Sequence, residues 1–158
     1  TNAGDGVVGI TAATGVAVLV LSNVFDGNTG AASDGLEIGT TIIFTTHVRN
    51  NVFSNNGNYG LNRTGSTVQP VASDFNDYFG NTTGARNNVT AGDSDIATDP
   101  SFTDRAGGDF TYASGSGNLA TGFPQTVPGA TGDYQWNIGV DQDDNSAGGA
   151  SSYTYVGN

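Results

Sequence analysis

Acidic side chains at two places along the chain have the residue types that glycoside hydrolysis requires, which is two carboxyl groups at a defined separation. Asp34 and Glu37 belong to one segment, and Asp74 and Asp77 belong to another. In a fold of stacked coils about 4.8 Å apart, the two pairs could meet on one flank. Because Asp is also an ordinary turn former, the pattern favours a structural role and leaves Asp74, Asp77 and Glu37 as catalytic candidates.

Oxygen ligands of the kind that Ca²⁺ prefers alternate near the C-terminus. Asp141, Asp143 and Asn145 have the spacing of the first half of a calcium-binding loop. Such a loop also needs Gly at its sixth position and Glu at its twelfth, where this chain has Ser146 and Ser152. These three residues are therefore metal-ligand candidates, and Ca²⁺ is the only cofactor that the sequence suggests. A second acidic group comprises Asp93, Asp95 and Asp99.

Aromatic and basic side chains provide further ligand-binding candidates. Trp136 and Tyr78 have rings that could stack on a sugar, although large aromatic residues more often fill a core. The single histidine, His47, precedes Arg49 by two residues, so the two side chains would share one face of a strand. These residues fit a binding site, and they also fit ordinary core or surface positions.

Three Asn-X-Thr sequences would accept an N-linked glycan in an organism that glycosylates asparagine. Their acceptors are Asn62, Asn81 and Asn88. Since the chain is rich in Asn and Thr, several such sequences arise by chance. We therefore treat the three only as candidate glycosylation sites.

The charge balance excludes several classes of partner. Fifteen acidic residues oppose four basic ones, all of them Arg, and the net charge is −11. This charge repels the phosphate backbone of nucleic acid and leaves no basic face for acidic lipid. The longest apolar run, residues 16–21, is far shorter than the roughly 20 residues of a membrane-spanning helix. We expect an extracellular or cell-surface protein that neither binds nucleic acid nor inserts into a membrane.

The elements that would position these residues are indicated by a repeat. A phrase of Asn, a hydrophobic residue and an aromatic residue occurs three times, with its phenylalanines 28 and 26 residues apart. A second phrase begins with Gly and keeps the same register. A repeat of this length is typical of a solenoid, in which each repeat is one coil. The predicted aromatic ladder is Phe25, Phe53 and Phe79. The predicted corner ladder is Asn23, Asn51 and Asp77. The Gly phrase begins at Gly6, Gly35 and Gly60.

Composition favours strands over helices. Gly accounts for 25 of 158 residues, and Asn, Thr, Ser and Asp supply most of the remainder. These residue types are poor in helix interiors, whereas the short apolar runs between them favour strands. We predict an all-β chain in which residues 1–92 form coils and residues 93–140 form the last coil and a cap. Residues 141–158 would be an acidic, Gly- and Ser-rich tail with a terminal strand.

Several segments resemble the right-handed parallel β-helix proteins of the pectate-lyase-like superfamily. Asn-Asn-Val-Phe-Ser-Asn-Asn-Gly at 50–57 looks like one of their coils. The order of motifs after it is similar to the C-terminal end of such proteins: Asp-Pro-Ser-Phe at 99–102, Gly-Asp-Phe at 108–110 and Asn-Ile-Gly-Val at 137–140. The resemblance implies a right-handed parallel β-helix, a solenoid, with a loop-rich C-terminal cap.

The same resemblance bears on enzymatic activity. Lyases of that superfamily use an Arg or Lys base beside a cluster of Asp ligands for Ca²⁺, and the related glycosidases use paired Asp residues with a Gly-His-Gly motif. Neither set of motifs occurs in this chain. The resemblance therefore indicates a fold and favours a protein without these activities.

We predict an extracellular structural or adhesive solenoid. The chain starts at Thr1, which suggests a processed end or a piece of a longer surface protein, and apolar strands follow with no covering segment before them. An uncovered apolar end would bind another copy head to tail, and a contact that does not close into a ring grows into a fibre, sheath or appendage. The alternative is a carbohydrate-active module, either a lyase-like or glycosidase-like enzyme or a glycan-binding spike, with polysaccharide as its partner.

Overall fold

The computed structural model describes residues 7–8, 18–39, 45–64, 70–119, 121–122, 124–126, 133–135 and 138–139. Within these ranges the chain has strands and no helix, as its composition predicts, and no helix long and apolar enough to cross a membrane occurs there. The strands are β1 (Val7–Val8), β2 (Val18–Leu21), β3 (Val24–Asp26), β4 (Leu36–Ile38), β5 (Thr46–Arg49), β6 (Val52–Ser54), β7 (Tyr59–Arg63), β8 (Val71–Asp74), β9 (Asp77–Phe79), β10 (Gly84–Asn87), β11 (Phe102–Asp104), β12 (Asp109–Tyr112), β13 (Pro124–Thr126) and β14 (Asp133–Gln135).

Strands β1 to β10 form three parallel sheets. The first sheet contains β1, β4, β7 and β10, the second contains β2, β5 and β8, and the third contains β3, β6 and β9. Each strand pairs with the strand three places later, so three successive strands make one turn and the next turn stacks on it. In the second sheet Val20 pairs with Val48, 28 residues later, and Val48 pairs with Ser73, 25 residues later. The repeat length predicted from the sequence is confirmed.

The interior between the sheets is filled by residues of similar type stacked from turn to turn. The rings of Phe25 and Phe53 are stacked with centroids 5.0 Å apart, and Phe53 stacks in the same way on Tyr78. Leu36 pairs with Leu61, which confirms the register predicted from the Gly phrase. The buried core cluster comprises Val20, Phe25, Leu36, Ile38, Val48, Phe53, Leu61 and Tyr78.

The third turn corrects one residue of the predicted register. Phe53 pairs with Tyr78 rather than with Phe79, and Phe79 pairs with Ser54 and is only half-buried. The ladder residue at the corner is correspondingly Asn76, and Asp77 is the first residue of the strand. The reason is that this turn repeats after 25 residues, not 26.

The corner between the second and third sheets has the same two-residue form in every turn. Its first residue has left-handed backbone, with φ of 54° at Ser22, 60° at Asn50 and 55° at Phe75. Its second residue is always Asn, at positions 23, 51 and 76. The other corners vary: the connections from the first to the second sheet have nine, seven and seven residues, and those from the third to the first have nine, four and four.

The chain after β10 makes two further kinds of contact. Ile96 forms a parallel bridge with Asp77, so residues near 96 stack on the last turn of the third sheet. Strands β11 and β12, and β13 and β14, form two antiparallel pairs. We call the described residues 98–119 and 138–139 the C-terminal cover, because they lie against the outer side of the third sheet. The N–H of Gly139 donates to the Asn50 carbonyl at 2.7 Å, and Arg105 is ion-paired with Asp26.

Candidate functional site

Two columns of asparagine side chains run along the corners of the third sheet. The backbone N–H and side-chain amide of Asn23 both donate to Oδ1 of Asn51, at 3.0 and 3.1 Å. Asn51 donates in the same way to Asn76, with both bonds at 3.0 Å. Each column satisfies backbone groups that the corners would otherwise bury without partners. The second column contains Asn28, Asn56 and Asn81.

The first column ends at a carboxylate. Oδ1 of Asp95 accepts from the backbone N–H and the side-chain amide of Asn76, at 2.9 and 3.2 Å. Its Oδ2 accepts from the Arg86 guanidinium at 3.0 Å, the Ser73 hydroxyl at 3.1 Å and the Gly92 N–H at 2.9 Å. Because an ionised carboxylate accepts but cannot donate, Asp95 cannot pass the pattern on to a further turn.

Arg86 occupies an interior position at the same end. The register pairs it with Leu61, which is fully buried in the preceding turn. Its guanidinium carbon lies 4.4 Å from the centre of the Tyr78 ring, within the range of a cation–π contact. The side chain is 19% exposed, and its partner Asp95 is 3% exposed. Arg86 therefore closes the last described turn of the interior with a paired charge.

Tyr78 has both ring faces occupied. One face stacks on Phe53 and the other lies under Arg86. Its hydroxyl is hydrogen-bonded to that of Ser73 at 2.9 Å. Burial raises the pKa of Tyr78, and the nearby charge of Asp95 adds to the shift. This is the position of a core residue, so the ring that the sequence offered for sugar stacking has no open face.

Asp77 is buried beneath the C-terminal cover. It is fully buried, and its Oδ1 accepts from the Thr98 N–H at 3.0 Å. Desolvation by burial raises the pKa of Asp77 to about 6; the charge of Asp99 also raises it, while hydrogen bonding by Thr98 and Asn118 opposes the shift. Asn118 thus lies near the carboxyl group, although the two side chains do not reach hydrogen-bond geometry. A substrate has no access to this carboxyl group in the folded structure.

The other acidic candidates are engaged separately. Asp34 is buried, and it accepts from the Tyr59 N–H at 2.9 Å and from the side-chain amide of Asn62 at 2.7 Å. Glu37, on β4, accepts from the Thr64 hydroxyl at 2.8 Å. Both therefore belong to hydrogen bonds beside the first sheet.

Asp74 ends β8 in the second sheet. Its Oδ1 accepts from the backbone N–H groups of Phe75 and Ser94, each at 3.0 Å. Asp77 begins β9 in the third sheet and faces the cover instead. The candidate carboxyl groups are thus distributed over three sheets, and the structure does not bring them together as the pair that hydrolysis requires.

The outer face of the second sheet is open in the described part of the chain. Leu19 is 62% exposed and Leu21 is 48% exposed. The register places His47 beside Leu19 and Arg49 beside Leu21, so the predicted sharing of one face by His47 and Arg49 is confirmed. We call this surface the second-sheet outer face. Its members are Leu19, Leu21, His47, Arg49, Ala72 and Asp74.

The three glycan acceptors differ in exposure. Asn62 is 7% exposed, and its side-chain amide donates to Asp34. Asn81 belongs to the second asparagine column, and its side-chain amide donates to the Phe53 carbonyl at 2.9 Å. Asn88 is exposed on a left-handed residue with φ of 55°. In the folded chain, Asn88 is therefore the acceptor with an exposed side chain.

The remaining candidates cannot be placed. Trp136 and the calcium-loop candidates Asp141, Asp143 and Asn145 lie outside the described residues, and their roles stay predictions. Among the residues that the structure does describe, no three or more His, Asp or Glu side chains are grouped to hold a metal ion. Of the second acidic group, Asp95 is committed to Arg86 and to the asparagine column.

Sequence reasoning missed three important residues, Arg86, Asp95 and Asn118. The 25-residue interval from Leu61 would have placed Arg86 in the interior once the register was known. Asp95 follows Asn76 by only 19 residues, so it falls outside the repeat. Asn118 is far from the coils in sequence and carries no motif.

Comparison with known proteins places the chain in a family. A family model described as "Disaggregatase related" matches residues 1–127, which is most of the chain. No curated protein and no solved structure gives a significant match. On the strength of the family match, the chain belongs to the disaggregatase-related family.

Proposed function

We propose that this chain is a structural or adhesive module of an extracellular or cell-surface protein, built as a right-handed parallel β-helix with a loop-rich C-terminal cap. Three parallel sheets with regular pairing between successive turns support the fold. The name of the family refers to disaggregation, which fits a protein at a surface where aggregates form. The acidic, Lys-free composition fits the same location.

The observation that carries this proposal is the use of buried polar side chains along the stack. Asn51, Asn56 and Asn76 are each 0% exposed, and each is hydrogen-bonded to the equivalent residue of a neighbouring turn. A fully satisfied polar network of this kind rigidifies a fold. The described Asp and Asn side chains mostly support the architecture, as expected of a scaffold.

The second-sheet outer face is the surface that we propose for adhesion between copies of the chain. The third sheet is covered by the C-terminal cover, and the polar residues on the first sheet bond with one another, as Asn87 does with Asn62 at 3.0 Å. The second sheet instead exposes Leu19 and Leu21. Two such faces would pack side by side, as sheets do in layered β proteins.

Head-to-tail growth, the predicted route to a fibre, stays a prediction. It needs an apolar surface at both ends of the stack. At the C-terminal end, Arg86 and Asp95 present an ion pair where an apolar rung would be required. This feature favours side-by-side association over end-to-end association.

Sedimentation velocity at several concentrations, with negative-stain electron microscopy, tests the proposal. We expect the native chain to associate as its concentration rises and Leu19→Ser/Leu21→Ser to sediment as a monomer with an unchanged unfolding midpoint. Thr82→Ser, at another exposed site, is the matched control. A native chain that stays monomeric at every concentration would refute adhesion between copies. Fibres that persist in the double variant would support growth through the ends.

The family name favours one second candidate, a carbohydrate-active module of a protein that acts on aggregates. A screen of acidic and neutral polysaccharides, with and without Ca²⁺, tests it directly. Turnover that is lost in Asp74→Ala while folding is retained would establish an enzyme. The separation of the acidic side chains over three sheets argues for binding rather than catalysis in the described part of the chain.

A further inference from the structure

Three unpartnered polar atoms meet where the third sheet contacts the C-terminal cover. They are Oδ2 of Asp77 and both side-chain polar atoms of Asn118, and all three are buried. Both residues are 0% exposed. Buried polar groups are nearly always hydrogen-bonded, so a cluster of this kind requires an explanation.

The cluster lies among the bonds that attach the cover. The Thr98 N–H donates to Oδ1 of Asp77 at 3.0 Å. The backbone carbonyl of Asn118 accepts from the Ile138 N–H at 2.9 Å, and the adjacent Gly139 N–H donates to the Asn50 carbonyl at 2.7 Å. Asn118 is therefore linked both to the neighbourhood of Asp77 and to the segment that crosses back to the coil.

The chemistry of the two side chains depends on one proton. A protonated Asp77 can donate to the amide oxygen of Asn118, whereas an ionised Asp77 can only accept from the amide nitrogen. Ionisation also places a charge in a buried site, which is unfavourable without a nearby cation.

No such cation acts on Asp77 among the described residues. The charge that does act on it is that of Asp99, which has the same sign. Arg105 of the cover is ion-paired with Asp26 at the far end of β3, and Arg86 is paired with Asp95. The Tyr112 hydroxyl is hydrogen-bonded to the Ile138 carbonyl. Ionised Asp77 would therefore be buried without compensation.

We propose that the Asp77–Asn118 contact is a proton-dependent latch, which holds the C-terminal cover on the third sheet while Asp77 is protonated and loosens it when Asp77 ionises. Burial raises the pKa of Asp77 from 3.8 to about 6 in the docked state. In an opened state, the pKa returns towards its ordinary value. Docking is therefore strongest in acid, and it weakens as the pH rises through about 6.

Amide hydrogen exchange followed by NMR tests the latch in the intact chain. The Gly139 amide reports on the cover, and the Val52 amide, which donates to the Asn23 carbonyl, reports on the coil. After correction for intrinsic exchange rates, we expect Gly139 protection to fall up to about 100-fold between about pH 4 and pH 8, since each pKa unit is tenfold. Val52 protection should stay constant. A constant Gly139 protection would overturn the proposal.

Two variants and one direct titration complete the test. Asp77→Asn should abolish the fall in Gly139 protection, whereas Asp104→Asn, an exposed carboxyl on the same cover, should retain it. A fall that persists in Asp77→Asn would refute the latch. The carboxyl carbon resonance of Asp77 in the native chain requires no substitution, so it decides the question even if a variant fails to fold. Titration near about 4, the ordinary value, would contradict the proposal.

Discussion

The guanidinium carbon of Arg86 lies 4.4 Å from the centre of the Tyr78 ring, at the end of a column of three stacked aromatic rings. The same guanidinium donates to Asp95, where the first asparagine column ends. One side chain thus closes the aromatic column and the asparagine column together. The end of the stack is fixed by a charge pair, and the predictions below test this closure and the packing behind it.

Arg86→Met should destabilise the fold by about 3–5 kcal/mol, because the carboxylate of Asp95 would stay buried without its cation. Urea unfolding followed by fluorescence measures the change. Arg105→Met is the matched control, since Arg105 is 46% exposed in its ion pair with Asp26. Breaking an exposed pair should remove about 1 kcal/mol or less. Equal losses in the two variants would contradict an interior role for Arg86.

Asn51→Ala should lower the free energy of unfolding by about 2–4 kcal/mol, because several buried donors and acceptors lose their partner at once. Asn51 is 0% exposed, and its side chain bonds to Asn23, Asn76 and the Val20 carbonyl. Thr82→Ala, at an exposed position, should change stability by less than about 0.5 kcal/mol. Thermal and urea unfolding would show whether the two substitutions differ as expected.

Gly60→Ala should be destabilising by about 1–3 kcal/mol through overpacking. A Cβ at Gly60 would lie 2.9 Å from the Ala85 carbonyl oxygen and equally close to Phe53 and Tyr78. At Gly84, on the next strand of the same sheet, a Cβ would meet Tyr59 at an ordinary 3.4 Å. Gly84→Ala should therefore leave the unfolding midpoint nearly unchanged, and a comparable loss there would argue against the tight packing at Gly60.

The register of the third turn can be tested by truncating its two adjacent aromatic residues. Tyr78 is 4% exposed and stacked on Phe53, so Tyr78→Ala should remove about 3–5 kcal/mol of stability. Phe79 is only half-buried, so Phe79→Ala should remove about 1 kcal/mol. The reverse order, measured by urea unfolding, would restore Phe79 to the aromatic ladder.

Global stability should fall as the pH rises through the range in which Asp77 ionises. Because the folded pKa of about 6 exceeds the ordinary 3.8, the contribution of Asp77 is fully present below 3.8 and is lost above about 6. The shift corresponds to about 3 kcal/mol. Unfolding measured across this range should give a slope that Asp77→Asn lacks. A native curve that stays parallel to the variant would show that Asp77 does not contribute.

The sequence predicted the repeat well, and its failures have physical causes. The spacing of the phrases predicted parallel stacking, and the Gly phrase gave the correct pairing of Leu36 with Leu61. At Tyr78 and Phe79, two adjacent aromatic residues fit the repeated phrase equally well. Only the constant two-residue corner, ending at Asn76, decides between them.

The candidate site was less accessible to sequence reasoning. Arg is seldom an interior residue, so a hydrophobic pattern cannot identify Arg86 as the last rung of the core. The acidic residues were correctly located near turns, but burial and pairing depend on contacts with distant segments. Asp77 illustrates this, because its environment is set by Thr98 and Asn118 of the cover.

The constant corner between the second and third sheets has an evolutionary consequence. That corner sets the pitch of the stack with two residues, whereas the other two connections range from four to nine residues in the same molecule. Insertions and deletions at those two edges leave the strand register intact. Related chains should therefore differ most along these edges, where new surface chemistry can be acquired turn by turn while the inheritance of the stacked interior is undisturbed.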